Sequence, residues 1–207
     1  IKDLLKKHRT GPEKYLGQHF ILSKTSLAKM ITAAEIKKND TIIEIGPGLG
    51  TLTQELAKTG AKIIAIEKDL KMISILKETQ ADYQNIKIIQ ADARKLSILR
   101  IDSLKRYKIV ANLPYNAATF LIRQWLESKN PPELMILIIQ KEVAQRITAK
   151  SPYSNLLAIS VQFYADAKII GYVKKESFWP KPKVDAAIIK ITPKISKRNG
   201  HIKPIGL

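Results

Sequence analysis

Thr41-Ile42-Ile43-Glu44-Ile45-Gly46-Pro47-Gly48-Leu49-Gly50-Thr51 is the stretch that decides the fold. Its first five residues form a short, Ile-rich apolar run, as expected of a strand buried on both faces of a parallel sheet. Three glycines at alternate positions then turn the chain into a helix that opens at Thr51. Glycine lets a backbone turn tightly and approach a ligand closely. A glycine-rich turn alone is weak evidence, and a simple strand-to-helix connection is the plain alternative. The dinucleotide pattern is Gly-x-Gly-x-x-Gly, whereas this turn reads Gly-x-Gly-x-Gly.

The same strand signal recurs downstream over residues 62–67, 85–90, 107–111 and 134–140. Helical stretches lie between and after these runs, over residues 51–59, 70–79, 117–127, 141–148 and 155–165. Two late strands, 168–173 and 184–191, flank a Pro- and Lys-rich connector over 174–183. Strand, helix, strand alternation predicts a doubly wound α/β sheet, mostly parallel and seven-stranded, with helices on both faces. The two late strands are close enough to form a terminal antiparallel hairpin. Upstream, residues 1–16 are basic and weakly amphipathic, 17–22 read as a loop, and Ser23 caps a helix over 24–34. Residues 195–207 are polar and basic and read as a tail.

Composition narrows the partners. The 207 residues include 36 Lys plus Arg against 18 Asp plus Glu, a net charge of +18, and the pI is near 9.9. Such a field favours polyanions, although an Ile- and Lys-rich composition accounts for part of the excess. The cations expected to track phosphates are Lys6, Lys7, Arg9, Lys141, Arg146, Lys181 and Lys183. There is no Cys, which excludes disulfides, thiolate metal sites and cysteine nucleophiles and fits a reducing compartment. The three His residues do not fall at metal-ligand spacing, so no metal is expected. The longest apolar run, 134–139, is far too short to span a bilayer. No apolar segment of signal-peptide type follows the basic N-terminus. The expectation is a cytoplasmic protein that is not bound to membrane.

Each strand end carries a residue suited to one part of a nucleoside. Glu67 ends the second strand, 21 positions after Gly46. An acid about 20 residues beyond such glycines accepts hydrogen bonds from ribose hydroxyls; the alternative is a surface Glu paired with Lys68. Asp92 ends the third strand, either to accept the amine of an adenine moiety or to cap the segment that follows. Asn112-Leu113-Pro114-Tyr115 closes the fourth, setting an amide, a carbonyl and an aromatic face around one small space. That set suits the exocyclic amine of a nucleobase. Along one sheet edge these signals describe a nucleoside cofactor beside an amine pocket.

With those motifs in hand, the chain resembles the KsgA family of ribosomal RNA adenine dimethyltransferases. The resemblance is carried by residues 17–22 (Gly-Gln-His-Phe-Ile-Leu), 44–50, 66–69, Asp92-Ala93, 112–115, 140–146 and 178–185 (Phe-Trp-Pro-Lys-Pro-Lys-Val-Asp), and covers about positions 11 to 194. It implies a Rossmann-like class I methyltransferase dependent on S-adenosyl-L-methionine. The implied reaction dimethylates N6 of two adjacent adenosines near the 3′ end of small-subunit (16S) rRNA, late in ribosome small-subunit biogenesis. The implied partner is the immature 30S subunit, met by a monomer. Residues 1–194 would be the catalytic domain, with 1–39 as basic arm, cofactor loop and helix. The family's helical C-terminal domain has no counterpart in the 195–207 tail. His19, Ile21, Gly46, Gly48, Glu67, Lys68, Asp92, Ala93 and Asn112 would bind cofactor. Asn112 and Pro114 would hold the target amine, and Tyr115 and Phe178 would stack on the flipped base. His19 stands where the family usually has Asn, and Ile21 where Leu is common.

Three other readings compete. The Erm group shares the Asn-x-Pro-Tyr turn and methylates large-subunit rRNA, but its glycine loop typically lacks Pro-Gly-Leu-Gly. The glycine spacing argues against an NAD-linked dehydrogenase. A non-catalytic RNA-binding assembly factor on the same fold is opposed by the presence of Glu67, Asp92 and Asn112.

Overall fold

The computed structural model describes residues 2–13, 17–95, 104 and 106–194. Residues 14–16 of the basic N-terminal stretch and the expected tail lie outside the described residues. In chain order the elements are α1 (Lys2–Lys7), β1 (Phe20–Ile21), α2 (Lys24–Ala34), β2 (Thr41–Ile45), α3 (Thr51–Ala57), β3 (Lys62–Glu67) and α4 (Leu70–Thr79). There follow β4 (Ile86–Gln90), β5 (Lys108–Asn112), α5 (Ala118–Leu126), β6 (Leu134–Gln140), α6 (Lys141–Thr148) and α7 (Leu156–Tyr164). Last come β7 (Ala165–Val173), a 3-10 turn (Lys175–Ser177), β8 (Phe178–Trp179) and β9 (Ala186–Pro193).

Seven strands form one sheet in the order β4-β3-β2-β5-β6-β9-β7. Pairing from β4 through β6 is parallel. β9 lies antiparallel to both β6 and β7, so the expected terminal hairpin is present with β9 on its inner side. The apolar runs explain the arrangement. Every residue of β6 but the last is buried, and an Ile or Leu buried on either face contributes roughly 1.5–3 kcal/mol. Ile42, Val110 and Ile136 face α2 and α3, whereas Ile43, Ile109 and Leu137 face α5, α6 and α7. Alternation along each strand thus supplies both cores.

The structure departs from expectation in two connectors. Residues 17–22, read as a loop, contain β1, and the 174–183 connector contains β8; the two pair antiparallel as Phe20↔Trp179 and Ile21↔Phe178. A two-residue strand has no periodicity to detect, and its pairing is set by the distant partner. The fourth strand of the sheet also runs one residue later than expected, so that Asn112 is its last residue, in register with Ile138.

Two lysines hold the C-terminus of α2. The ammonium of Lys108 donates to the carbonyls of Ala34 (3.0 Å) and Glu35 (2.7 Å) and pairs with Asp40 at 2.8 Å. Lys190 donates to the Glu35 carboxylate at 2.7 Å. Such cations offset the unpaired carbonyls and the negative end of a helix dipole. Burial alone would raise the Asp40 carboxyl, but Lys108 and the backbone N–H of Lys37 hold it below its ordinary value. The Lys108 side chain is only 12% exposed. Lys108→Met should therefore cost about 2 kcal/mol, the range for hydrogen bonds to a charged group. Urea denaturation at neutral pH measures it. The difference should shrink as pH falls below 3.8, because stability from a carboxyl with a depressed value is lost when it takes up its proton. An unchanged midpoint would show that Lys108 is not needed to hold α2.

Candidate functional site

Strand order reverses between β2 and β5, and ligands of open α/β sheets bind at the carboxyl ends of strands at such a point. A cavity of about 340 Å³ opens there. His19 and Ile21 line it from β1 and the residues before it, and Gly46 and Gly48 from the turn after β2. Glu67 and Lys68 come from the end of β3, and Asp92 and Ala93 from the end of β4. Asn112, Pro114 and Tyr115 complete the wall after β5. The site is thus gathered from turns far apart in sequence.

Gly48 shows why this turn needs glycine. Its φ is +56°, and a Cβ there would lie 2.7 Å from Cε1 of Phe20, so a side chain would be strained and would clash. Its N–H donates to Glu67 Oε2 at 3.1 Å. The other oxygen of Glu67 accepts the N–H groups of Lys68 (2.8 Å) and Asp69 (2.9 Å). Glu67 is buried, and burial pushes its carboxyl up, against the three N–H bonds that favour the charged form. It is therefore not the surface Glu of the alternative reading; Lys68 pairs with Asp92 at 3.2 Å instead. A carboxylate offers about four lone-pair sites. Three are taken, leaving one on Oε2 to accept a hydroxyl.

Asp92 is more heavily committed. It accepts the Arg94 backbone N–H (3.0 Å) and side-chain Nε (3.0 Å) on Oδ1, and Arg94 Nη2 (2.7 Å) and Lys68 on Oδ2. Arg94, then Lys68, hold the carboxyl well below the usual range, against the effect of burial. Asp92 thus caps the turn that follows it. To accept an adenine amine as well, it must release Arg94 or Lys68. Both cations are about half exposed, and surface ion pairs are weak enough to exchange.

At Asn112 the amide direction is fixed by its partner. Nδ2 lies 2.8 Å from the His19 carbonyl oxygen. A carbonyl only accepts, so the NH₂ end must face it and Oδ1 is left as an acceptor. The Pro114 carbonyl accepts the Ala117 N–H at 3.0 Å and keeps one lone pair. His19 Nδ1 lies 2.7 Å from the Pro180 carbonyl, which requires Nδ1–H to donate. The His19 ring is 5.4 Å from that of Tyr115 at an interplanar angle of 34°. The Tyr115 hydroxyl is buried without a partner among the described residues; burial, then the charges of Glu142 and Asp185, push it up to about 12.

Phe178 is not brought to this cavity. It is 3% exposed and packs in the core with Ile21, Leu27 and Val173, because β8 pairs with β1 and turns the ring inward. In this arrangement it offers no second stacking face, and the ring paired with Tyr115 among the described residues is that of His19.

Sequence reasoning gave no role to Glu44. It lines the cavity, is 1% exposed, and its Oε2 has no hydrogen-bond partner among the described residues. The signal was present: an acid inside the run Thr-Ile-Ile-Glu-Ile has no exposed face to occupy. Burial pushes its carboxyl up to about 8; the Thr53 hydroxyl opposes the shift and the charge of Glu67 adds to it. The wall of the cavity therefore holds a carboxyl whose burial favours its neutral form, an anchored carboxylate, and an amide oxygen with no hydrogen-bond partner among the described residues. These groups fit a nucleoside with hydroxyls and amines to donate. Among the described residues, no three His, Cys, Asp or Glu side chains are grouped to hold a metal ion. Nor is any helix long and apolar enough to cross a membrane.

The family model for ribosomal RNA adenine dimethylase matches residues 11–201. Ribosomal RNA small subunit methyltransferase A of Dehalococcoides mccartyi is 44% identical over 193 residues, covering 92% of this chain. The chain spans 66% of that relative's length. Among solved structures, a dimethyladenosine transferase from Plasmodium falciparum superposes with a TM-score of 0.76 at 33% identity, over 84% of this chain and 63% of that one. The 23S rRNA methyltransferase ErmE gives 0.75 at 24% identity, over 86% and 70%, a likeness of fold. These neighbours bear out the class I, mostly parallel α/β architecture.

Glu44 supplies a pH test. An unfolded Glu ionises near 4.5 and the folded one near 8, so between those values folding binds a proton and stability falls as pH rises. Relative to Glu44→Gln, the wild type should lose about 1.4 kcal/mol per pH unit across that window. Denaturant unfolding of both proteins at several pH values reads the difference. Parallel stability curves would mean that Glu44 is ionised in the folded state.

Proposed function

This chain belongs to the ribosomal RNA adenine dimethylase family, and from that premise we propose that it transfers methyl groups from S-adenosylmethionine to N6 of adenosine in small-subunit rRNA. The proposed target is the pair of adjacent adenosines near the 3′ end of 16S rRNA, met late in small-subunit assembly in the cytoplasm, with the protein acting as a monomer. Residues 1–194 form the proposed catalytic domain. The observation that carries this reading is the bond from Asn112 Nδ2 to the His19 carbonyl, which commits the amide nitrogen and leaves the oxygen for an exocyclic amine.

When bound, S-adenosylmethionine supplies the electrophilic methyl group. Glu67 accepts a ribose hydroxyl on its remaining lone pair, and Gly46 and Gly48 let the backbone come close. Asp92 takes the adenine amine in exchange for one of its cations, with Ala93 beside it. His19 and Ile21 close the cavity from the N-terminal side. The N6 amine is a poor nucleophile because its lone pair is delocalised into the ring. Asn112 Oδ1 accepts one N6 proton and the free lone pair of the Pro114 carbonyl accepts the other. That pairing favours a pyramidal nitrogen with its lone pair directed at the methyl group. The gain is orientation and electrostatic stabilisation, and the methylated nitrogen, made acidic by the positive charge it acquires, then releases one proton to solvent. Tyr115 stacks on the base once it leaves its helix, offsetting an unstacking cost of a few kcal/mol.

The small subunit is favoured over the large by the 44% identity to a small-subunit methyltransferase and by Pro47-Gly48-Leu49-Gly50. Labelled-methyl transfer to unmethylated 30S particles and to free large-subunit rRNA, followed by mapping of the modified base, tests the choice. Activity confined to the large-subunit RNA would overturn it. Asn112→Ala should abolish transfer while cofactor affinity stays within about tenfold, or 1.4 kcal/mol. Glu67→Ala should weaken cofactor binding first, by calorimetry. Full activity in the Asn112 variant would remove that residue from the mechanism.

A further inference from the structure

Outside the cavity, an aromatic residue and several cations meet at the end of β7, the outer strand of the sheet. Tyr172 is 60% exposed there, and Lys141 Nζ lies 5.6 Å from the centre of its ring. On the other face of the strand, a Cβ at Gly171 would stand 3.0 Å from Cδ of Lys29. The absence of a side chain at Gly171 therefore lets the Lys29 stem lie against the strand, just past its register shift. Lys174 follows directly. None of these three lysines pairs with a carboxylate among the described residues.

The position is informative. Asn112 is in register with Ile138, Ile138 with Ile188, and Ile188 with Gly171. Three inter-strand steps put Gly171, the residue before Tyr172, about 14 Å from Asn112 along the same sheet edge. That distance is beyond the target base and within reach of a neighbouring nucleotide. Lysines on an outer strand commonly guard against edge-to-edge pairing, but a guard needs charge alone. An exposed ring makes an edge more adhesive, so Tyr172 is not explained by that role. A ring beside unpaired ammonium groups is what single-stranded nucleic acid uses, bases stacking on the ring and phosphates meeting the cations.

We propose that Tyr172, with Lys141 over its ring and Lys29 across the strand at Gly171, is a stacking platform for an RNA base that flanks the target adenosine. The proposal rests on the reading of the cavity as an RNA adenine methylation site. Fluorescence anisotropy with labelled oligoadenylate tests it, with labelled heparin as a polyanion that has no bases. Tyr172→Ala should bind oligoadenylate about tenfold more weakly and heparin unchanged. Tyr172→Phe should stay within about twofold of wild type, since stacking needs only the ring. Lys141→Ala should weaken both ligands and flatten the salt dependence. Calorimetry should give all variants the cofactor affinity of the wild type, because Tyr172 does not line the cavity. Wild-type RNA binding retained in Tyr172→Ala, or an equal loss for RNA and heparin, would overturn the platform and leave the methylation reading standing. A wild-type protein that binds no oligoadenylate would overturn both.

Discussion

Parallel pairing of β2 with both β3 and β5 is the constraint on which the rest of this molecule depends. Register brings Ile45 beside Ile66 and Glu67 beside Gln90, and Asn112 beside Ile138, so the strands end at one edge. The glycine turn, the carboxylate of Glu67, the cap at Asp92 and the amide of Asn112 converge because those ends coincide. Slipping β2 by one residue would turn Glu44 to the opposite face and an Ile into its place. The buried acid would then meet the apolar helices instead of the cavity. Register here fixes chemistry as well as packing.

A second constraint closes the cavity from its N-terminal side. Residues 18–22 are bonded to segments far apart in the chain: Gln18 to Asp69, His19 to both Asn112 and Pro180, Ile21 to Thr51, and Leu22 to Ser177. Phe20 and Trp179 stack at 6.3 Å. The segment that would cover a cofactor is therefore the same segment that orients the amide of Asn112. His19 joins the two roles, since its carbonyl holds Asn112 while its ring contacts Tyr115. Replacing this side chain with Asn would leave the backbone carbonyl in place for Asn112 but remove the ring.

Much of this was legible in the sequence, for a physical reason. Strands buried on both faces must be apolar throughout, and so β2, β3 and β6 begin and end where their apolar runs do. Glycines that need a left-handed backbone and acids at strand ends announce themselves in the same way. Two features were not legible. β1 and β8 are two residues each and pair across most of the chain, leaving no local pattern. Phe178 sits beside Trp179 and Pro180 in a segment that looks exposed, yet pairing with Ile21 turns it into the core. Glu44 falls between these cases: its burial could be read from its neighbours, but its missing hydrogen-bond partner could not.

The charge of +18 also acquires structure once its cations are sorted by what they hold. Lys108 and Lys190 cap α2 from partly buried positions, and releasing them would strip carbonyls of their donors. They are unavailable to any ligand. Lys7 and Lys181 pair with Glu78 and Glu176 in the open, where a phosphate can displace the carboxylate at little cost. Lys68 and Arg94 are intermediate, because their partner Asp92 is itself a wall of the cavity and must be partly freed for a ligand to enter. A net charge counts all of these alike. The fraction that a polyanion can use is the fraction whose present partners are exposed or absent. Lys29, Lys141 and Lys174, which have no carboxylate partner among the described residues, belong to that fraction and gather at the end of β7, on the edge where the strands that line the cavity also end.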